Sequence, residues 1–143
     1  DTLAYTSSVL SFMLRDIQKP VIVTGSQIPL SKVRSDGISN VMNSLIFACN
    51  DKIKEVCVYF NQELRRGNRI TKVSATDFDA FISPNYPSLA YVGVDIDLKK
   101  TKLWKREANA TLPSLENFDL YGLELESSLF WQMRILKEIS SNK

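Results

Sequence analysis

The sequence predicts an α/β fold, a doubly wound parallel sheet. Two short runs carry the prediction: Val21–Val23 and Val56–Phe60 are apolar, rich in β-branched or aromatic residues, and free of charge. Strands of that texture belong to sheets covered on both faces, since only a strand with one face in water needs alternating polar residues. The third observation is order. A helical pattern precedes each run, giving the alternation of helix and strand that builds parallel sheets.

Along the chain, residues 2–15 place Leu3, Val9, Leu10, Met13 and Leu14 at helical spacing. Lys19-Pro20 ends that helix, because proline cannot continue one. A strand runs from Val21 to Gly25, and residues 25–32 read as an irregular loop. Ser35 and Asp36 offer caps to a second helix with Val41, Leu45, Ile46 and Ala48 at helical spacing. Asn50-Asp51 closes it before the second strand at Val56–Phe60. Val21–Val23 and Val56–Tyr59 are expected to be interior strands. The polar stretch Arg65–Arg69 reads as a loop, and residues 70–73 as a short strand. Phe12, Met13, Phe47, Phe60, Phe78 and Phe81 are expected in the core. Cys49 and Cys57, both in apolar settings, read as buried free thiols. Beyond Asp97 the texture changes. Residues 99–105 are basic, residues 108–117 hold turn formers around Pro113, and Leu123–Ile139 is patterned as a last amphipathic helix with Leu129, Phe130, Met133 and Leu136 inward.

With 143 residues, 44% hydrophobic and 24% charged, the chain has the make-up of one soluble globular domain. Its 18 basic and 16 acidic residues leave +2, too weak a balance to indicate nucleic acid or an anionic membrane as partner. No apolar run approaches the roughly twenty residues that cross a bilayer, and no signal-peptide pattern opens the chain, so a cytoplasmic protein is expected. Histidine is absent, which excludes histidine-based triads and metal sites, and two cysteines alone make a poor zinc site. Neither metal nor organic cofactor is expected. In open α/β sheets ligands sit beyond the carboxyl ends of the strands. That draws attention to Gly25-Ser26-Gln27 and Arg66-Gly67-Asn68. The second loop has one glycine and no Lys-Ser/Thr pair, so it is not a phosphate-binding P-loop.

Four segments, in order, carry a resemblance. Asp1-Thr2 with Ala4-Tyr5-Thr6 and Leu10–Leu14 resembles the helix that opens with the His-Gly-Thr-Asp-Thr motif of bacterial-type L-asparaginases. Lys19–Leu30 followed by Arg34-Ser35-Asp36-Gly37 is similar to the strand and loop of the cytoplasmic type. Tyr59-Phe60-Asn61, Arg66–Arg69 and Thr71-Lys72-Val73 resemble the segment bearing the family's active-site lysine. Phe78–Phe81 and Ser83–Pro87 with Leu89 complete the match. The resemblance covers residues 1 to about 97, which it implies are part of the asparaginase N-terminal α/β domain. Residues 98–143 do not resemble the family's linker and second domain; they read as a linker-like segment and a C-terminal helix.

The resemblance implies hydrolysis of L-asparagine to L-aspartate and ammonia, in a homo-oligomer (dimer or tetramer). The family's nucleophile is a threonine hydroxyl that forms an acyl-enzyme. A hydroxyl is weak at its own pKa and needs a base or an altered neighbour. The Thr-Asp-Lys cluster supplies one, and its matching residues here are Asp1 and Lys72. Lysine suits the role because burial disfavours its charged form. Asp1 would hold Lys72 and also accept hydrogen bonds from the substrate's α-ammonium. Ser26, beside Gly25 at a strand end, is implied in main-chain contact with the substrate amide. The family's nucleophilic threonine, and the threonine directly before Asp1, have no counterpart in this sequence. A segment preceding residue 1 is therefore expected, and the chain alone is expected to be inactive. Two other readings stand beside this one: a non-catalytic fragment or assembly domain of asparaginase descent, and the amidotransferase subunit that supplies ammonia for transfer-RNA-bound glutamate. The Ser-Gln-Ile-Pro-Leu and Arg-Gly-Asn-Arg loops favour the asparaginase over the amidotransferase.

Overall fold

The computed structural model describes residues 2–105. Asp1 and the helix expected over Leu123–Ile139 lie outside the described residues. Helix α1 (Thr2–Met13) is followed by strand β1 (Val21–Val23), helix α2 (Gly37–Ala48), and strands β2 (Val56–Phe60) and β3 (Glu63–Arg66). A 3-10 turn over Gly67–Arg69 leads to β4 (Thr71–Lys72), then β5 (Phe81–Ile82), β6 (Ala90–Val92) and β7 (Ile96–Leu98).

The expected strand–helix–strand unit is present. β1 pairs with β2 in parallel, Val21 opposite Val56 and Val23 opposite Val58, with α2 as the crossover. Five strands in the order β1-β2-β3-β6-β7 make the main sheet, and β4 with β5 makes a separate ribbon. The architecture is α/β with a mixed sheet, since the remaining pairs are antiparallel. A short connection explains the change of direction. Asn61 and Gln62 alone join β2 to β3, with φ of 46° and 67°, and two positive-φ residues make the mirror-image turn of a tight hairpin. A parallel crossover needs a dozen residues or more. Glutamine is uncommon in that conformation, and its surroundings hold it there. Arg65 donates to the Phe60 carbonyl at 3.2 Å, and the Val92 amide donates to the Gln62 carbonyl at 2.7 Å. The polar stretch read as a loop is consequently strand as far as Arg66. A second correction concerns β1, which is not interior: among the described residues only β2 pairs with it, and its residues are half-buried. β2 is interior and buried throughout.

Successive side chains of β2 point to opposite faces. On one, Cys57 and Tyr59 pack with Phe47 of α2, Ile53, Leu64 and Leu89. On the other, Val58 and Phe60 pack with Ala80, Phe81 and the half-buried Leu3, Ala4 and Val23. Helices α1 and α2 therefore cover opposite faces of the sheet. Met13, Phe47, Phe60 and Phe81 are core as expected, while Phe12 and Phe78 are exposed. Cys57 is buried but Cys49 is not; it caps the C-terminus of α2, one residue past the helix that packs on the sheet.

The inner face of α2 is unusual. It buries Gly37, Asn40, Ser44 and Phe47, and leaves Ile38, Val41, Met42, Leu45 and Ile46 exposed. The helical spacing of the apolar residues was legible, but their stripe faces outward. Of the inward polar residues, Asn40 serves the loop described next.

Candidate active site

Beyond the carboxyl ends of β1 and β2, three segments meet. Gly25, two residues past β1, lies against α1 and β2: a Cβ placed there would be 3.3 Å from Leu3 and 3.9 Å from the Phe60 ring. The Gln27 side-chain amide donates to the Asp77 carbonyl at 2.7 Å. That bond ties the loop after β1 to the loop after β4.

Between α1 and β4 runs a cleft of about 500 Å³, lined by Ala4, Tyr5 and Ser8 from the helix and by Lys72, Val73 and Ser74 opposite. Lys72 is half-buried. It pairs with Phe81 across the ribbon, and its Nζ lies 5.6 Å from the centroid of that ring, a cation–π distance. The Phe81 ring in turn meets Phe60 edge-on, with centroids 5.0 Å apart. The lysine is thus referenced to the core of the main sheet through two aromatic rings.

The two walls of the cleft are joined below it. Ser7 of α1 is fully buried, and its hydroxyl lies 2.9 Å from the Gly67 carbonyl and 3.0 Å from the Ala4 carbonyl, one proton serving both. A Cβ on Gly67 would sit 2.8 Å from Ser11 Oγ and 3.0 Å from the carbonyl oxygens of Ser7 and Val56. Helix and turn touch backbone to backbone, which only glycine permits.

Asp36 departs from its expected role. It occupies the N-cap position of α2 but its side chain caps none of the helix's backbone amides; the Gly37 amide donates to Ser35 Oγ instead, at 3.0 Å. The Asp36 carboxylate accepts from the backbone amides of Gln27 and Ile28, each at 3.0 Å. Asn40 is 3% exposed, and its amide group donates to the Gly25 carbonyl at 2.9 Å and to Asp36 Oδ2 at 3.0 Å. Ser26, on the loop so held, is exposed and does not line the cleft.

The basic stretch after β2 proves structural where Arg66 is concerned. Its Nε lies 2.6 Å from Glu55 Oε2, and its guanidinium stacks 4.2 Å from the Tyr86 ring centroid and 5.0 Å from that of Trp104. Of the residues expected in the site, the structure sets Lys72 in the cleft and Ser26 on the loop next to it. Asp1 directly precedes α1 in sequence and lies outside the described residues. Sequence reasoning missed the roles of Asp36, Asn40 and Gln27. The signal was the Ser35-Asp36 pair, which local propensity assigns to a helix cap.

Residues 1–104 match the protein family described as Asparaginase, N-terminal. The chain belongs to the asparaginase family. It is 58% identical over 96 residues to L-asparaginase 1 of Escherichia coli (strain K12), a match covering 67% of this chain and 28% of that protein. A 60 kDa lysophospholipase of Mus musculus is 50% identical over 100 residues, 70% of this chain and 18% of that protein. Among solved structures, L-asparaginase I of Vibrio cholerae superposes with a TM-score of 0.69 at 50% identity, covering 77% of this chain and 34% of that one. The chain thus spans less than a third of the length of these curated relatives. As an asparaginase-family chain it has amidohydrolase relatives, and its mixed sheet with flanking helices is that of their N-terminal domain. No helix among the described residues is long and apolar enough to cross a membrane.

Proposed function

We propose that the chain is part of an amide hydrolase that converts L-asparagine to L-aspartate and ammonia through a threonine-derived acyl-enzyme. Asp1 and Lys72 are then two members of its Thr-Asp-Lys cluster. The observation that supports this reading is the place of Lys72, half-buried in a cleft whose other wall is the helix that follows Asp1. A lysine so placed has the chemistry to relay a proton from a hydroxyl nucleophile. Asp1 orients it and accepts hydrogen bonds from the substrate's α-ammonium, while the backbone at Ser26 contacts the substrate amide. No metal or organic cofactor takes part. The protein works in the cytoplasm as a homo-oligomer, dimer or tetramer.

On this reading the threonine nucleophile lies elsewhere in a longer protein, since the chain spans less than a third of the length of its curated relatives. Ammonia release from L-asparagine tests the reading, measured in a form that turns over and in its Lys72→Met variant. Methionine keeps the side chain's length and deletes the amine, so unchanged turnover would sink it. Release only from glutamine, and only with a transfer-RNA partner present, would favour the amidotransferase. Binding of asparagine with no turnover in any form would favour a non-catalytic descendant.

A further inference from the structure

From the polar contacts beneath α2 we infer that Asp36 and Asn40 are positioning residues: they hold the backbone of residues 25–28 in the shape that presents Ser26. The inference deepens the proposed function, resting on its reading of the Ser26 loop as substrate-binding.

Loop residues 25–28 have no sheet partners to fix them, so their amides and carbonyls need others. Four are supplied by the segment that begins α2. Asp36 takes the amides of Gln27 and Ile28 on one carboxylate. Asn40 donates to the Gly25 carbonyl. Ser35 Oγ donates to the Ile28 carbonyl at 2.8 Å. Ser26 is the residue bracketed by these bonds, one position after the Asn40 contact and one before the first Asp36 contact. Charge makes the Asp36 bonds stronger than neutral ones. Burial of Asn40 adds to this, because an amide group taken from water must find partners, and it finds one on the loop and one on Asp36. Steric fit completes the arrangement. A Cβ on Gly37 would meet the Leu30 side chain at 2.5 Å and Ser26 Cβ at 3.2 Å, so the loop folds directly over the start of the helix. The far end of the loop is fastened by Gln27 to the Asp77 carbonyl, on the segment that continues the Lys72 wall. This is why α2 turns Asn40 inward: the start of the helix serves the loop, while its last turn, at Phe47, serves the core.

The consequence is a role through Ser26 and not through contact with substrate. The test uses the 143-residue chain, with amide chemical shifts read by NMR and L-asparagine as the probe. In Asp36→Asn the Gln27 and Ile28 amide protons are expected to move upfield as their charged acceptor is lost. In Asn40→Ala, which keeps every charge and stands in if Asp36→Asn does not fold, the Ser26 amide nitrogen is expected to move as the Gly25 carbonyl loses its donor. Both variants weaken binding of L-asparagine about tenfold. An Ile53→Val control, which trims the core elsewhere, changes stability but none of these shifts nor the binding. Loop shifts that stay in place in both variants overturn the inference, as does asparagine binding by the chain that neither variant weakens. Shifts that move as stated, while L-asparagine bound to a form that turns over leaves the residue 25–28 amides unperturbed, leave the positioning role standing and defeat instead the reading of the loop as a substrate loop.

Discussion

The main sheet and the β4–β5 ribbon differ in what they can tolerate. β2 is buried at all five positions and sits between two apolar clusters. β4 is two residues long, with Thr71 exposed and Lys72 half-buried. The first is a place where removing atoms costs stability. The second carries a charged side chain at little structural expense, because its position is borrowed from Phe81 and Phe60. The division suggests that substitutions in the ribbon and in the core should fail in different ways.

The largest effect is expected at Lys72. In a form that turns over, Lys72→Met is expected to lower ammonia release about a thousandfold, within the range of a lost proton-transfer group, while thermal unfolding barely moves. A large drop in melting temperature would show the ribbon to be structural after all. Phe47→Ala tests the other side of the comparison. Phe47 is 1% exposed and stacks 5.5 Å from Tyr59, so the change is expected to cost about 3–5 kcal/mol in urea denaturation. Ser7→Ala sits between the two regions. It leaves the Gly67 carbonyl without its donor and is expected to cost about 1–3 kcal/mol, with hydrogen exchange quickening first around residues 67–72. A uniform rise across the sheet would erase the distinction between ribbon and core. The smallest effect is one of pH. Burial pushes the Cys57 thiol well above its ordinary 9.0, helped by the Glu55 carboxylate and opposed by Arg66. Above pH 9 the unfolded thiol ionises while the folded one stays neutral, so stability present below that pH falls as pH rises, by about 1.4 kcal/mol per unit at most. Cys57→Ala is expected to remove this part of the slope in denaturation curves taken from pH 7 to 10.

Much of the framework was legible because it rests on periodicity. Val21–Val23, Val56–Phe60 and the two helices each declare themselves within a few residues. Lys72 was legible only through its neighbours in four ordered motifs, as a lone lysine says nothing. What stayed hidden depends on contacts distant in sequence. The hairpin at Asn61-Gln62 needs Arg65 and Val92 to hold a glutamine at positive φ. The outward stripe of α2 has the same spacing as an inward one, and only the loop after β1 decides which side is buried. Asp36 before a helix has the spelling of a cap whether its carboxylate turns to the helix or to Gln27. Among the described residues β1 lies at an edge because only β2 flanks it, which no local pattern records.

The bond between Ser7 and Gly67 also bears on how the chain assembles. The parallel pair β1–β2 closes over some thirty residues, but Ser7 must wait for a partner sixty positions away. A helix of twelve residues is marginal in isolation, so α1 depends on that late contact for much of its persistence. In kinetic terms, Ser7→Ala should speed unfolding more than it slows folding, the mark of an interaction formed after the transition state. The helical wall of the cleft would then be the last part to settle and the first to leave.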